Sequence, residues 1–261
     1  MSYLEAILLG LVQGLTEFLP VSSSGHMELT KAIFNQQIKE GLIVSVVLHL
    51  ATALSTIVIY RRDILAIIRG LFRSERNYVF YIFLSMLPAI IVGLFFEDFI
   101  DKLFDNNILL VGLMLAITGL VLWFSDGVEK GNQKVRGFHA IKVGLVQAIA
   151  ILPGISRSGS TIGALVLMGV KREHATKFSF LMVLPVILGA ASKKIIDFSQ
   201  NTESIDVQNG PLIVGFIIAF LTGLMACQAM IFLVKKTKLR GFAYYCWSVA
   251  FLAIITFFIG L

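Results

Sequence analysis

Charged residues are scarce in this sequence: Asp, Glu, Lys and Arg together make up 15% of the 261 residues. Soluble globular domains carry about 25% charged residues, and about half of their residues are apolar. Here 57% of the residues are hydrophobic and the mean hydropathy is +0.87. The shortage of charge excludes an ordinary soluble domain. It predicts an all-α integral membrane protein, because helices satisfy their own backbone hydrogen bonds in lipid.

Cysteine is also scarce, since Cys227 and Cys246 are the only two and both fall within apolar runs. This excludes a disulfide framework and a cysteine-based metal site. The N-terminus lacks a basic region, and Glu5 and Gln13 interrupt its apolar run, so no signal peptide is predicted. The net charge of +6 comes from Lys and Arg in short loops, which is a topology signal and predicts no nucleic-acid partner.

Long apolar runs dominate the rest of the chain, and a run of about 17–25 residues is long enough to cross a bilayer as a helix. Six continuous runs qualify: Leu42–Tyr60, Tyr78–Phe96, Ile108–Phe124, Phe178–Ile196, Pro211–Val234 and Phe242–Leu261. Two further apolar regions, Tyr3–Leu29 and Phe138–Val170, are interrupted by polar residues, proline and glycine. Each of these predicts a re-entrant helix hairpin, because such a break must be buried in protein or line a wet cavity.

The charges between the runs predict the orientation, since loops rich in Lys and Arg stay in the cytoplasm. Residues 61–76 contain five arginines, and basic residues recur at 130–142, 171–177 and 235–240, so these stretches are predicted to be cytoplasmic. The acidic stretch 97–105 and the stretch 197–209 are predicted to lie outside. The first hairpin then enters the membrane from the outside and the second from the cytoplasm. Hairpins that enter from opposite faces form an inverted repeat, with their tips near the midplane.

The two interrupted regions also resemble each other in sequence. Gly-Leu-Val-Gln at 10–13 recurs at 144–147, a shift of 134 residues from position 13 to 147. The same shift pairs Ser22 with Ser156, Ser24 with Ser158 and Gly25 with Gly159. We predict an internal duplication within a single membrane domain. Residues 1–130 form the first repeat, with hairpin 3–29 and three spans, and residues 131–261 form the second, with hairpin 138–170 and three spans.

The first hairpin carries acid–base groups at membrane depth, where ionisable residues are functional candidates. Gln13 and Glu17 are four residues apart and share one helix face. Glu17 is a candidate base, metal ligand or hydrogen-bond acceptor, and His26 is the one side chain here that titrates near neutral pH when unperturbed. The hydroxyls of Ser22, Ser23 and Ser24 stand between them, and Gly25 permits close approach of the backbone to a ligand.

The second hairpin carries a cation in place of the acid. Arg157 offers a planar fork of donors that suits phosphate oxygens, and Ser156, Ser158, Ser160 and Thr161 surround it with hydroxyls. A helix that begins here would also direct free amides at an anion. Under the shift of 134, Glu17 corresponds to Ile151, so the two hairpins are complementary. Together they predict a composite site for phosphoryl transfer, which depends on positioning and charge stabilisation.

These motifs carry a family resemblance. Gln-x-x-x-Glu at 13–17, Pro-Val-Ser-Ser-Ser-Gly-His at 20–26 and Pro-Gly-x-Ser-Arg-Ser-x-x-Thr at 153–161 resemble the undecaprenyl-pyrophosphate phosphatase family of the bacitracin-resistance type. The resemblance extends over essentially the whole chain. It implies a bacterial inner-membrane enzyme that hydrolyses a polyprenyl diphosphate lipid to the monophosphate, recycling the carrier for peptidoglycan synthesis. It also implies an active site that faces the periplasm.

The resemblance assigns roles by motif. Glu17, His26 and Arg157 would be catalytic, and Ser23 would be a nucleophile or a phosphate ligand; water and His26 stay open as nucleophiles. The residues expected to bind phosphate are Gln13, Ser22, Ser24, Gly25, Ser156, Ser158 and Thr161. A divalent cation, Mg²⁺ or Ca²⁺, is expected at Glu17. Neighbouring lipid is a further partner, and the sequence leaves a homodimer open.

The chain departs from the family pattern at three positions. Gln13 stands where the family often has Glu, Ser45 where an acidic residue is frequent, and His49 where Gln is frequent. The loss of a carboxylate at position 13 weakens the prediction of a metal site. His49 lies alone in an apolar span and is expected to be packed or to face a pore.

The sequence also permits a function of another class. A flippase for a phosphorylated isoprenoid lipid is the alternative that an inverted repeat favours, although a carrier of anions gains little from a carboxylate beside its cation. Small serines alone would equally serve close helix packing. The acid-phosphatase signature Ser-Arg-x₅-His is excluded, because position 163 is Gly163.

Overall fold

The structure is a computed structural model that describes residues 1–34, 42–70, 76–104, 107–127, 131–200, 209–236 and 238–259. Helices make up nearly all of the described chain, and an isolated bridge pairs Gln133 with Val170. In chain order the helices are α1 (Tyr3–Phe18), α2 (Ser23–Ile33), α3 (Leu42–Ile59), α4 (Arg61–Gly70), α5 (Arg76–Phe95), α6 (Glu97–Phe104), α7 (Ile108–Asp126), α8 (Gly137–Ile149), α9 (Arg157–Leu167), α10 (Arg172–Gln200), α11 (Asn209–Lys236) and α12 (Arg240–Ile259).

Five of these helices, α5, α7, α10, α11 and α12, are long and apolar enough to cross a membrane. A sixth span is formed if Ile43–Ile59 of α3 is taken with Arg61–Arg69 of α4, which is bent away from it by 74°. The described residues therefore confirm the prediction of an all-α integral membrane protein.

Two stretches that were predicted to be loops are helical instead. Residues 61–70 form α4, and Leu65 and Ile68 expose about half of their surface on it. Residues 97–104 form α6 between two spans. Both are amphipathic, so their apolar side chains recur at helical spacing between the charges that suggested a loop. Helix α10 also begins at Arg172, six residues before the predicted span at Phe178, because its charged first turn continues the helix beyond the apolar run.

The two interrupted regions are helix pairs. Helices α1 and α2 are separated by residues 19–22, and α8 and α9 by residues 150–156. Pro20 and Ser22, which has a φ of 71°, occupy the first break, and Gly154, with a φ of 94°, lies in the second. A positive φ costs little for glycine but is uncommon for serine, so the bend at Ser22 is an unusual local conformation.

Each hairpin packs its first helix along a span from the other half of the sequence: α1 lies along α11, and α8 lies along α5. Gly10 and Gly144 mark these two crossings. A Cβ atom added to Gly10 would lie 2.7 Å from the backbone oxygen of Gly215, and one added to Gly144 would lie 2.7 Å from that of Ser85. Small residues permit this close approach of helices in a membrane. The predicted repeat boundary at residue 130, and residues 201–208 of the predicted outer loop, lie outside the described residues.

Candidate active site

The tips of the two hairpins are in contact. A Cβ atom added to Gly25 would lie 3.1 Å from Cα of Gly154, and one added to Gly159 would lie 3.1 Å from Cβ of Pro20. The Ser158 hydroxyl donates a hydrogen bond to the Leu19 carbonyl at 3.2 Å. The prediction that the two polar motifs meet is therefore correct in its geometry.

Helices α7 and α12 support the two tips from outside. The backbone amide of Ser156 donates to Oγ1 of Thr118 on α7 at 3.0 Å. The Cys246 thiol of α12 lies 3.6 Å from the carbonyl oxygen of Pro20, which accepts its hydrogen bond. The breaks between the hairpin helices are thus satisfied by protein groups, as polar backbone at membrane depth requires.

Serine side chains cap the helices that leave the tips. Oγ of Ser22 accepts from the amide of Gly25, and Oγ of Ser156 accepts from the amide of Gly159, each at 3.1 Å. Each capping hydroxyl also lies 3.3 Å from the hydroxyl two residues further along the chain, that of Ser24 or Ser158. The first amides of α2 and α9 have no partner within their own helices, so both helix starts favour an anion.

An ion pair connects the two hairpins at this point. Arg157, at the start of α9, donates from Nη2 to Oε1 of Glu17, near the end of α1, at 2.5 Å. The other carboxylate oxygen, Oε2, accepts from Oγ of Ser23 at 2.7 Å and from Nε2 of Gln13 at 3.1 Å. Glu17 is buried, and a buried carboxylate needs such partners to remain charged.

Arg157 keeps unused donor capacity. Its Nη1 atom is buried and has no hydrogen-bond partner among the described residues. A buried polar group without a partner is costly, and a guanidinium recognises phosphate through paired donors. An anion bound beside Arg157 would supply the missing partner.

A cavity of about 210 Å³ opens beside the ion pair. Its wall has a polar part, contributed by helices α1, α2 and α3 and the start of α9, and an apolar part from the α8–α9 turn and α10. The lining residues are Thr16, Glu17, Ser23, Ser24, His49, Ala150, Ile151, Ile155, Ser156, Arg157, Ser158, Val183 and Ile187. Six of the predicted site residues therefore share one cavity.

His26 lies elsewhere. Its Nε2 is 2.8 Å from the Tyr245 hydroxyl on α12, its Nδ1 is 2.8 Å from the Ser22 carbonyl oxygen, and its ring stacks on Tyr245 at 5.6 Å. It is not among the residues of the cavity wall, because its two hydrogen bonds and the stacking hold the ring against Tyr245. The sequence could not show this orientation.

The remaining predicted residues contact the site residues or their helices but do not line the cavity. Gln13 contacts Glu17, and Ser22 and Gly25 form the cap of α2. The Thr161 hydroxyl lies 2.7 Å from both the Ser179 hydroxyl and the Arg157 carbonyl oxygen, so it faces α10 and its own helix. Their side chains are not part of the cavity wall.

Other lining residues were not recognised in the sequence. His49 lines the cavity, and the sequence predicts that it is packed or faces a pore. Its Nδ1 lies 2.8 Å from the Ser45 carbonyl oxygen, and this contact fixes the ring. Thr16, Val183 and Ile187 were missed. The last two resemble any other apolar residue of a span, so no signal in the sequence distinguishes them.

Comparison with known proteins decides the family. The profile of the family described as "Bacitracin resistance protein BacA" matches residues 6–252. The chain belongs to this family. It is 50% identical over 261 residues to the undecaprenyl-diphosphatase of Christiangramia forsetii, and 45% identical to that of Bacteroides thetaiotaomicron, with 98% of each chain covered in both cases. The undecaprenyl-diphosphatase of Methanococcus vannielii is 45% identical over 249 residues, which cover 93% of this chain and 96% of the relative.

The divalent cation expected for a BacA-family protein can be tested against the donors present. Among the described residues that line the cavity, Glu17 is the one carboxylate, and Arg157, Ser23 and Gln13 already donate to it. No group of three or more His, Cys, Asp or Glu residues with metal-binding geometry occurs within the described ranges. This donor set does not fit a cation that the protein holds by itself.

Proposed function

We propose that this protein hydrolyses undecaprenyl diphosphate to undecaprenyl phosphate and inorganic phosphate, and so recycles the lipid carrier of cell-wall synthesis. The observation that carries this proposal is the 2.5 Å ion pair between Glu17 and Arg157, with Ser23 bonded to the same carboxylate. The names of the relatives support the same reaction. Its place would be the bacterial inner membrane, with the site open to the periplasm.

Substrate binding would use the cationic side of the cavity. Arg157 offers Nη1 to the terminal phosphate, and the hydroxyls of Ser24, Ser156 and Ser158 line the same space. The starts of α2 and α9 add amides and the positive ends of two helix dipoles. This environment stabilises the negative charge that moves to the oxygens during phosphoryl transfer.

Ser23 is the nucleophile in this scheme, because its Oγ already donates to Glu17 Oε2 at 2.7 Å. Oγ attacks the terminal phosphorus, its proton passes to Glu17, and the bond from that phosphorus to the bridging oxygen breaks. Undecaprenyl phosphate leaves. Water then attacks the phosphorus of the phosphoserine and the bond from phosphorus to Oγ breaks. Glu17 returns its proton to Oγ, and inorganic phosphate leaves with the oxygen and the protons of the water.

His26 has a supporting part in this scheme. By bonding the Ser22 carbonyl and Tyr245 it fixes the start of α2, where Ser23 lies. The direct catalytic role that the family motif implies for His26 stays a prediction.

A divalent cation would arrive with the substrate. Mg²⁺ is commonly held by one or two carboxylates together with substrate phosphates. When Mg²⁺ or Ca²⁺ is bound to the diphosphate, Glu17 would be the carboxylate that coordinates it. Phosphate release after chelation, measured against added Mg²⁺ or Ca²⁺, tests this. The homodimer also stays a prediction.

The central test measures phosphate release from undecaprenyl diphosphate by the purified protein in detergent. We expect Arg157→Ala and Glu17→Ala each to lower turnover about 100-fold or more, because each removes charge stabilisation or the base. Arg69→Ala, on exposed α4, is the matched control and should leave turnover unchanged. Near-normal turnover in either site variant would remove that residue from the mechanism. A folded wild-type protein that releases no phosphate would favour the flippase.

A further inference from the structure

Helix α10 changes its surroundings halfway along its length. From Ala175 to Leu184 it is almost entirely buried in the core. Beyond Pro185 it emerges, so that residues 188–190 are exposed and Ile195 exposes 53% of its surface. A Cβ atom added to Gly189 would meet no atom of the described chain within 4 Å. In a membrane protein such an apolar, open face meets lipid.

The cavity lies at this transition. Helix α10 contributes Val183 and Ile187, one turn apart, on either side of the point where the helix leaves the core. Ala150, Ile151 and Ile155 of the α8–α9 turn complete the apolar part of the wall. The ion pair and the hydroxyls of Ser23, Ser24 and Ser158 lie on α1, α2 and α9, and Ser156 caps α9. The wall therefore combines polar residues with apolar ones, and the helix that supplies Val183 and Ile187 continues into its exposed half.

We propose that this apolar wall holds the first isoprene units of the substrate, and that the rest of the chain leaves along the outer half of α10. The inference rests on the proposed function. A diphosphate lipid has a charged head and a long apolar chain, and a cavity of about 210 Å³ cannot enclose both. The chain must therefore continue into the bilayer, and burying it against Val183 and Ile187 is favourable.

The position of the apolar wall along α10 also indicates the leaflet from which the substrate enters. Arg172 begins α10 among the basic residues that mark the cytoplasmic side. The half of α10 beyond Pro185 then lies in the opposite leaflet. The substrate would enter from the non-cytoplasmic leaflet, with its chain in that leaflet and its diphosphate drawn inward to Arg157.

The test fills the apolar wall and leaves the polar residues of the cavity intact. Ile187→Trp places a larger ring in the wall, and Ile213→Trp places the same ring on an exposed position of α11, outside both the cavity wall and α10. Steady-state phosphate release from undecaprenyl diphosphate in mixed micelles gives kcat and KM for each full-length variant. For Ile187→Trp we expect KM to rise about tenfold, or ~1.4 kcal/mol, with kcat within about threefold of wild type. Ile213→Trp should match wild type.

Several outcomes would overturn the inference: an unchanged KM for Ile187→Trp, an equal rise for Ile213→Trp, or a fall in kcat alone. If Ile187→Trp does not fold, Ile187→Ala replaces it and should raise KM about threefold, because it removes apolar contact without adding volume. An unchanged KM there overturns the inference too. Absence of phosphate release from folded wild type would instead overturn the proposed function, and the inference with it.

Discussion

At the scale of single residues, Glu17 organises the site because it accepts hydrogen bonds from both halves of the chain. Gln13 and Ser23 donate from the first hairpin and Arg157 donates from the second. The chemistry-bearing residue types were evident in the sequence, since a carboxylate and a guanidinium at membrane depth need partners. The direction of each side chain was not, and His26 shows this: it follows Ser23 by three residues on α2, but a hydrogen bond and ring stacking hold it at Tyr245.

The role of Ser23 gives a residue-scale prediction. Ser23→Ala should lower the rate of phosphate release by about 10³-fold or more, because it removes the attacking oxygen. Ser24→Ala is the matched control: Ser24 lines the same cavity but has no bond to Glu17, and the loss should stay within about tenfold. Acid quenching with substrate labelled in the terminal phosphate should trap labelled protein in wild type. Normal turnover by Ser23→Ala, without trapped label, would assign the attack to water.

At the scale of helices, the two hairpins could be predicted from the sequence, whereas the short helices α4 and α6 could not. Proline, glycine and polar residues at 20–26 and 153–159 interrupt apolar regions that otherwise suit a span. The structure has breaks at 19–22 and 150–156, and the later part of each motif begins the next helix. In α4 and α6 the same charges that predict orientation hide the helical spacing of the apolar residues. The packing of α1 on α11 and α8 on α5 also depends on tertiary contacts that no local pattern contains.

The crossing of α8 and α5 yields a prediction about stability. Gly144→Ala would place a methyl group 2.7 Å from the Ser85 backbone oxygen, so the helices must separate. We expect a loss of about 1–3 kcal/mol, because overpacking of a close contact has that cost. Gly93→Ala on α5 is the control, since the space beside Gly93 is open. Thermal unfolding in detergent measures both, and an equal Tm for the two variants would contradict close packing at residue 144.

At the scale of the whole molecule, contacts between the two tips are related in pairs by the shift of 134 residues. Gly25 contacts Gly154, and Gly159 contacts Pro20, which stands 134 positions before Gly154. Thr118 of α7 supports one tip and Cys246 of α12 supports the other, and α7 packs against α12. Such paired contacts are what the predicted inverted repeat requires. These contacts bring Glu17 of the first half next to Arg157 of the second half, so neither half forms the ion pair alone.

The orientation of the whole molecule can be tested through its surface helices. Arg69 of α4 and Lys102 of α6 are both exposed, whereas the native Cys227 and Cys246 are fully buried and should give no background. The positive-inside rule places α4 in the cytoplasm and α6 outside. In spheroplasts, a membrane-impermeant thiol reagent should therefore label Lys102→Cys readily and Arg69→Cys only after permeabilisation. The reverse pattern would invert the topology, move the outer half of α10 to the cytoplasmic leaflet, and contradict entry of the substrate from the outside.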